Sequence, residues 1–323
     1  MTTADANRML DVTLRIARFT PKPEKASRRR GGSPFAKKSP FGDSGASSRP
    51  GRVRGKRWTQ EYRVSVHAND SVLDCLLMIK REQDPSLAFR YSCGHGMCGS
   101  DAVAINGTPT LLCTAKVRDW VKPDSPDFTA NEGFRPTGQP VDDDAQALDL
   151  DALEPGTGLV IDLAALPGFP TQRDLIADVD PMLDQIRRLR PYLEASGELK
   201  TTDDGKIDAF EYLQSPEQLA RYELLSNCIA CGVCEGSCPV YAGGEAFVGP
   251  AAMITVSRFL NDSRDSIADD RLDSLMGSDG ASACQSVRAC SMHCPKGIDV
   301  GEELWQTIQK VDAARKARQT ADA

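Results

Sequence analysis

The chain has 323 residues, 40% hydrophobic and 26% charged, with a net charge of −7, which allows two ordinary domains of normal soluble composition. No stretch approaches the ~18–20 continuous apolar residues of a membrane helix. The start, MTTADANRML, lacks the basic end and apolar core of a secretory signal, so the expectation is a reducing compartment, with any membrane contact made through a partner.

Taken in chain order, Leu14–Phe19 alternates as a strand. Residues 22–57 then hold twelve Lys/Arg against Glu24 and Asp43 and are rich in Gly, Pro and Ser, which predicts a disordered insertion over 20–57. Trp58–Val66 alternates as a second strand, and Ser71 is placed to cap a helix over Val72–Arg81. Cys75 on that helix stands among Leu76, Met78 and Ile79 and reads as a buried small hydrophobe. Ala102–Ile105 and Leu111–Cys113 suggest two short strands around Asn106-Gly107. Residues 124–154 hold nine Asp/Glu against Arg135, within a second expected disordered insertion over 122–157. Leu159–Leu163 reads as a returning strand. From about Arg173 the spacing turns helical through Met182, Leu183, Ile186, Leu189 and Leu193, and again over Ala251–Leu260 and Leu304–Val311. The expected fold is therefore α+β, a β-rich half over 1–170 and a helical half over 171–323.

Eleven cysteines, ten of them in three tight groups, favour metal over disulfides. The first group is Cys93-x4-Cys98-x2-Asp101-x11-Cys113, the spacing of a plant-type [2Fe-2S] site with Asp101 where the third Cys would stand. A carboxylate oxygen ligates iron as a harder donor than thiolate. Gly94, Gly96 and Gly99 suit a loop wrapped around a cluster. A zinc site of three Cys with Asp101 or His95 is the competing reading.

The second group, Cys228-x2-Cys231-x2-Cys234-x3-Cys238-Pro239, is the bacterial ferredoxin run, whose fourth Cys serves the other cluster. The third, Cys284-x5-Cys290-x3-Cys294-Pro295, overlays it with Val287 at the second Cys position. Cys228, Cys231, Cys234 and Cys294 then complete a [4Fe-4S] cluster. Cys238, Cys284 and Cys290 supply three thiolates, which suits [3Fe-4S]; a non-cysteine fourth ligand such as Gln285 or water is the alternative. Three scattered histidines and the lack of a dinucleotide fingerprint leave no sign of an active centre. The pattern predicts a wire for single electrons, with no nucleic-acid partner.

The stretches Phe89–Ala102, Ile105-Asn106-Gly107, Asp174-Leu175-Ile176-Ala177-Asp178, Cys228-Ile229-Ala230-Cys231-Gly232, Gly249-Pro250-Ala251-Ala252, Arg258–Asp265 and Cys294-Pro295-Lys296-Gly297 resemble the iron–sulfur subunit of succinate dehydrogenase and fumarate reductase (complex II). The resemblance implies an N-terminal β-grasp ferredoxin domain and a helical bacterial-ferredoxin-like domain. It also implies an FAD-containing flavoprotein partner where succinate is oxidised, and membrane-anchor subunits carrying a quinone on the cytoplasmic side of a bacterial membrane. Pro239, Tyr241 and Gln285 would border that quinone. Ubiquinone-using relatives commonly carry Trp shortly after the first Cys-Pro and His after the first Cys of the last group. Tyr241 and Gln285 lie in those stretches here, so menaquinone is the expectation. Fumarate reductase, with the same parts run in reverse, and an electron-transfer subunit of another flavoprotein are the rival readings.

Overall fold

A computed structural model describes residues 8–22, 54–124, 158–195, 201–206 and 214–321. The N-terminal half is a mixed sheet in the order β2 (Gly55–His67), β1 (Met9–Pro21), β6 (Leu159–Ala165), β3 (Ala102–Ile105), β4 (Thr108–Leu111). Strands β1 (Met9–Pro21) and β2 (Gly55–His67) pair antiparallel from Met9↔His67 to Pro21↔Gly55. Both run further than the sequence alternation suggests, and the remainder of the basic insertion lies outside the described residues. Strands β3 (Ala102–Ile105) and β4 (Thr108–Leu111) form a hairpin. Its turn has φ 49° at Asn106 and φ 85° at Gly107, the two left-handed residues that a tight hairpin favours. The expected strand through Cys113 stops at Leu111, because Leu112 and Cys113 turn their N–H groups to Asp101 instead.

Strand β5 (Lys122–Pro123) lies where the sequence suggested only a loop, paired antiparallel with β6 (Leu159–Ala165). Residues 125–157 of the acidic insertion are outside the described residues. β6 pairs parallel with β1, Val12↔Leu159 to Ile16↔Leu163, and antiparallel with β3. Helix α1 (Val72–Glu82) begins at a capping box between Ser71 and Asp74. It buries Val72, Leu73, Cys75, Leu76 and Ile79, one helical stripe laid over Leu14, Ile16, Ile105 and Ile161. Burying each such aliphatic side chain stabilises by about 1.5–3 kcal/mol. This is a β-grasp arrangement: one helix across a mixed sheet. Short helix α2 (Val117–Trp120) leads into β5.

After β6 a two-stranded hairpin, β7 (Thr171–Arg173) with β8 (Ile176–Ala177), leads into α3 (Asp180–Arg188). The helical periodicity through Leu193 overruns this element: the chain leaves the helix at Leu189 and takes φ 52° at Arg190. Then come α4 (Pro216–Ala220), α5 (Val233–Ser237), α6 (Pro239–Ala242), α7 (Pro250–Leu260), α8 (Ala268–Ser274), α9 (Ala289–Met292) and α10 (Val300–Ala321). Their core gathers Tyr222, Val240, Met253, Val256, Leu275 and Leu304 around the second and third cysteine groups. A buried ion pair pins it, Arg271 to Asp265 at 2.7 Å, the same guanidinium also donating to the carbonyls of Leu189, Arg190 and Tyr192.

The two halves meet at a seam. Leu166 and Phe169 press on α5 so closely that a Cβ on Gly236 would lie 3.0 Å from Leu166, and one on Gly232 would lie 3.2 Å from Phe169. Phe169 also stacks tilted on Tyr241, with ring centroids 5.6 Å apart.

Candidate iron–sulfur sites

The first site is set by the β3–β4 hairpin. Asp101 stands at the entrance to β3 and Cys113 just past β4, and the carbonyl of Asp101 accepts from Leu112 N–H at 3.2 Å. The Asp101 carboxylate is buried, 2% exposed. Its Oδ2 accepts from the Cys113 N–H at 2.7 Å, while Oδ1 is buried with no hydrogen-bond partner. A buried, unsatisfied carboxylate oxygen is costly unless something binds it. One oxygen is thus held by the backbone and the other is free for a metal.

The loop from Cys93 to Asp101 takes left-handed φ at Gly94, Gly96 and Gly99 (73°, 74° and 66°). These turns aim amides at sulfur: Gly96 N–H donates to Cys113 Sγ at 3.3 Å, Met97 N–H to Cys93 Sγ at 3.4 Å, and Cys93 N–H to Cys98 Sγ at 3.5 Å. Ser100 Oγ lies 3.2 Å from Cys98 Sγ. Amide donation from His95 and Met97 holds the Cys93 thiol down at about 7. Burial, with Asp101 alongside, pushes Cys113 up to about 12. His95 is exposed and turns its Nδ1 to the Cys93 carbonyl, 2.7 Å away, rather than into the loop.

The second and third groups are built as a structural repeat. Each opens with a 3-10 turn, Leu224–Asn227 before Cys228 and Ala281–Ala283 before Cys284. Each then takes left-handed φ two and four residues after that cysteine: Ala230 (48°) and Gly232 (78°), then Ser286 (54°) and Arg288 (63°). Each next starts a short helix, α5 or α9, and leaves it for Cys-Pro. Val287 therefore occupies in the second copy the backbone position of Cys231 in the first. It is exposed, at 46%. Three non-glycine residues hold left-handed φ here, at a cost of about 1–3 kcal/mol each, which marks loops shaped for a purpose other than stability.

Cys228, Cys231, Cys234 and Cys294 line one cavity, walled by Ile229, Ala251, Ile254 and Ile298. The three from the first copy and the last from the second come together as the spacing predicts. Amides point at these sulfurs too, Ala230 at Cys228 and Val233 at Cys231. Cys238, Cys284 and Cys290 form the other gathering, close enough that charge on any one is felt by its neighbours. Tyr241 and Val240 direct amides at Cys238, and Ser286 N–H lies 3.4 Å from Cys284 Sγ. Burial pushes Cys231 and Cys290 up to about 12, so iron must displace protons that the apolar surroundings favour.

Among the described residues no three His, Cys, Asp or Glu side chains close on a point fit for one ion. The donor set fits clusters better: soft thiolates spread around a space, with amides aimed at sulfur.

Two residues escaped the sequence reasoning. Glu235 is fully buried, with Oε2 3.0 Å from Cys234 Sγ and Oε1 accepting from Ala251 N–H at 2.7 Å. Burial raises its carboxyl. Lys296 reaches from the Cys294 loop to the first site, 3.3 Å from the Gly96 carbonyl and 2.9 Å from Met97 Sδ. Nothing in local sequence marks either contact. Of the residues expected at a quinone, Pro239 opens α6, Tyr241 is half-buried against Phe169 and Gly249, and Gln285 is exposed.

Fold and site together define a two-part ferredoxin protein, a β-grasp half followed by a helical half with duplicated cysteine loops. Residues 13–184 match the family described as "2Fe-2S iron-sulfur cluster binding domain", and residues 224–298 match "4Fe-4S dicluster domain". The chain is 34% identical over 240 residues to the fumarate reductase iron–sulfur subunit of Mycobacterium tuberculosis, covering 74% of this chain and 80% of that protein. It is 31% identical over 256 residues to the mitochondrial succinate dehydrogenase [ubiquinone] iron–sulfur subunit of Dictyostelium discoideum, covering 77% and 75%. A chain of the Mycobacterium smegmatis Sdh1 complex in the apo form has the same fold, with a TM-score of 0.63 at 21% identity over 96% of this chain and 98% of that one. The chain belongs to the family of iron–sulfur subunits of succinate dehydrogenase and fumarate reductase, binds [2Fe-2S] and [4Fe-4S] clusters, and acts as an electron-transfer subunit within a multi-subunit oxidoreductase.

Proposed function

We propose that the chain serves succinate:quinone oxidoreduction, taking single electrons from the FAD of a flavoprotein subunit and delivering them to a membrane quinone. In this reading residues 1–170 hold [2Fe-2S] on Cys93, Cys98, Asp101 and Cys113. Residues 171–323 hold [4Fe-4S] on Cys228, Cys231, Cys234 and Cys294, and [3Fe-4S] on Cys238, Cys284 and Cys290. The clusters supply one-electron chemistry, with potentials tuned by type, charge and hydrogen bonds. The chain's own residues space them, dry them and donate hydrogen bonds to their sulfurs.

The observation that carries the reading is the contact between sites: Gly99 of the first loop lies against Cys231 of the second, so tightly that a Cβ there would stand 2.7 Å from Cys231 Cβ. Cys234 lies in the first turn of the short helix α5 and Cys238 caps its end, so the second and third sites also adjoin. The sites form a series with two ends. Near the first, Tyr91 and Met97 are exposed, a face suited to a flavoprotein. Near the last, Val287, Met292 and Trp305 are exposed, a face suited to anchor subunits. Among the described residues no helix is long and apolar enough to cross a membrane. In this reading the chain sits peripherally on the cytoplasmic side of a bacterial membrane, held by those subunits. Menaquinone, bordered by Pro239, Tyr241 and Gln285, remains the proposed acceptor.

Low-temperature EPR of the complex tests this. Of the three clusters only [3Fe-4S] is paramagnetic when oxidised. The expected result is a strong signal in the oxidised complex and further signals on dithionite reduction. An oxidised complex without signal that gains signals on reduction replaces the three-iron centre with a second cubane. Silence in both states with zinc present overturns the electron-transfer reading. Fumarate reduction, the reverse direction, is the second reading, supported by the resemblance to the mycobacterial fumarate reductase subunit. Assay of the complex in both directions separates the two.

A further inference from the structure

We infer that Lys296 is a positioning residue for electron transfer between the first two clusters: one ammonium braces both cluster loops and stabilises the electron on either side. The inference rests on the electron-transfer reading above and adds a residue to it.

Three observations meet at this side chain. Lys296 follows Cys294 by two residues and lines the cavity shared by Cys228, Cys231, Cys234 and Cys294. Its Nζ donates to the Gly96 carbonyl at 3.3 Å and approaches Met97 Sδ at 2.9 Å. Gly96 and Met97 are the two residues whose amides donate to Cys113 Sγ and Cys93 Sγ. Lys296 thus touches the peptide unit whose Met97 N–H donates to Cys93 Sγ while forming part of the wall of the second site.

The physical effect has two parts. A hydrogen bond to the Gly96 carbonyl polarises the loop that carries the Gly96 and Met97 N–H groups, strengthening their donation to sulfur. A positive charge beside a half-buried space also favours the state with one more electron, because Coulomb interactions are less screened there than in water. When one electron passes, the first cluster is oxidised by one and the second reduced by one, with no proton moved. A cation between them raises both potentials together and so leaves the step between the two clusters level. Gly99 against Cys231 fixes how closely the loops approach. Lys296 fastens the same junction from the other chain segment.

The test is redox titration by EPR of the intact complex carrying Lys296→Met, Lys296→Gln or Lys296→Arg, with iron content and dipolar broadening between the two reduced clusters recorded alongside. Met and Gln are expected to lower both potentials, shifting the reduced-to-oxidised ratio at fixed poise by several-fold to about tenfold, which for a one-electron couple is up to ~59 mV. Arginine is expected to retain the parental ratio. Unchanged potentials in Met and Gln, with iron content intact, overturn the inference and leave the electron-transfer reading standing. Loss of iron from both neutral variants also overturns it, since the lysine would then build the cage rather than tune it. Absence of cluster signals in the parent complex sinks the underlying reading instead.

Discussion

Gly99 and Cys231, 132 positions apart in sequence, touch through their backbones: a Cβ added at Gly99 would lie 2.7 Å from Cys231 Cβ and 3.0 Å from its Cα. Gly99 also holds φ 66°, so neither the space nor the backbone accepts a side chain. Gly99→Ala is expected to push the two cluster loops apart and to destabilise by about 1–3 kcal/mol. The measurable sign is a weaker magnetic interaction between the first two reduced clusters, with slower succinate-driven reduction of the later ones. Unaltered coupling would mean that the loops do not set the separation.

Asp101 offers one oxygen to the Cys113 N–H and leaves the other unsatisfied and buried. Asp101→Ala removes both, leaving the Cys113 amide without its acceptor, a cost of about 1–3 kcal/mol. The expected outcome is loss of the [2Fe-2S] signal and of two irons' worth of absorbance from the complex. Asp101→Cys is expected to keep the cluster and alter its visible circular dichroism, as a thiolate replaces an oxygen ligand. A full [2Fe-2S] complement in Asp101→Ala would remove Asp101 from the ligand set.

Val287 sits between Ser286 and Arg288, whose left-handed backbones copy Ala230 and Gly232 around Cys231. The loop is already shaped for a ligand at this point. Val287→Cys is therefore expected to convert the proposed three-iron centre to a cubane, abolishing the EPR signal of the oxidised complex and adding a signal on reduction. Persistence of the parental oxidised signal at full strength would contradict the overlay.

Asp84 gives a pH dependence remote from the clusters. Burial pushes its carboxyl up, but donation from Ser86, Tyr62 and Arg18 outweighs this and leaves it well below the usual carboxylate range. Arg18 is itself buried and paired with Asp84 at 2.6 Å and Asp174 at 3.0 Å. A carboxylate held low in the folded state stabilises fully above its unfolded value of about 3.9 and loses that contribution as pH falls further. Asp84→Asn is expected to be less stable than the parent at pH 7, the gap narrowing as pH falls from about 5 to about 3. Urea unfolding of both proteins across that range reads the gap directly, and a constant gap would refute the linkage.

Much of this was written in local sequence. Ser71 announces the start of α1 because an N-cap needs only neighbours. The cysteine spacings announce the cluster loops because each ligand set is assembled from short runs. Cys75 is buried as its company suggests. The rest depends on distant partners. Lys122-Pro123 has no strand pattern and becomes β5 only because β6 lies beside it. Leu193 keeps helical spacing but falls after the left-handed turn at Arg190. Glu235 is buried because Ala251, sixteen positions on, supplies a donor. Lys296 reaches a carbonyl 200 positions back, beyond any periodicity.

Strand β6 is the central seam of the first half, pairing with β1, β3 and β5. Val12 is made long before its partner Leu159, so a nascent chain carries β1 to β5, and every ligand of the first site, before the strand that unites them exists. Closing such distant pairs is entropically slow. The loop of the first site is thus made before β6 is there to complete its sheet, and the proposed [4Fe-4S] site waits longer, until Cys294 emerges. On the proposed ligand sets, the second site cannot be completed until Cys294 has been made, whereas the first needs only the chain through β6.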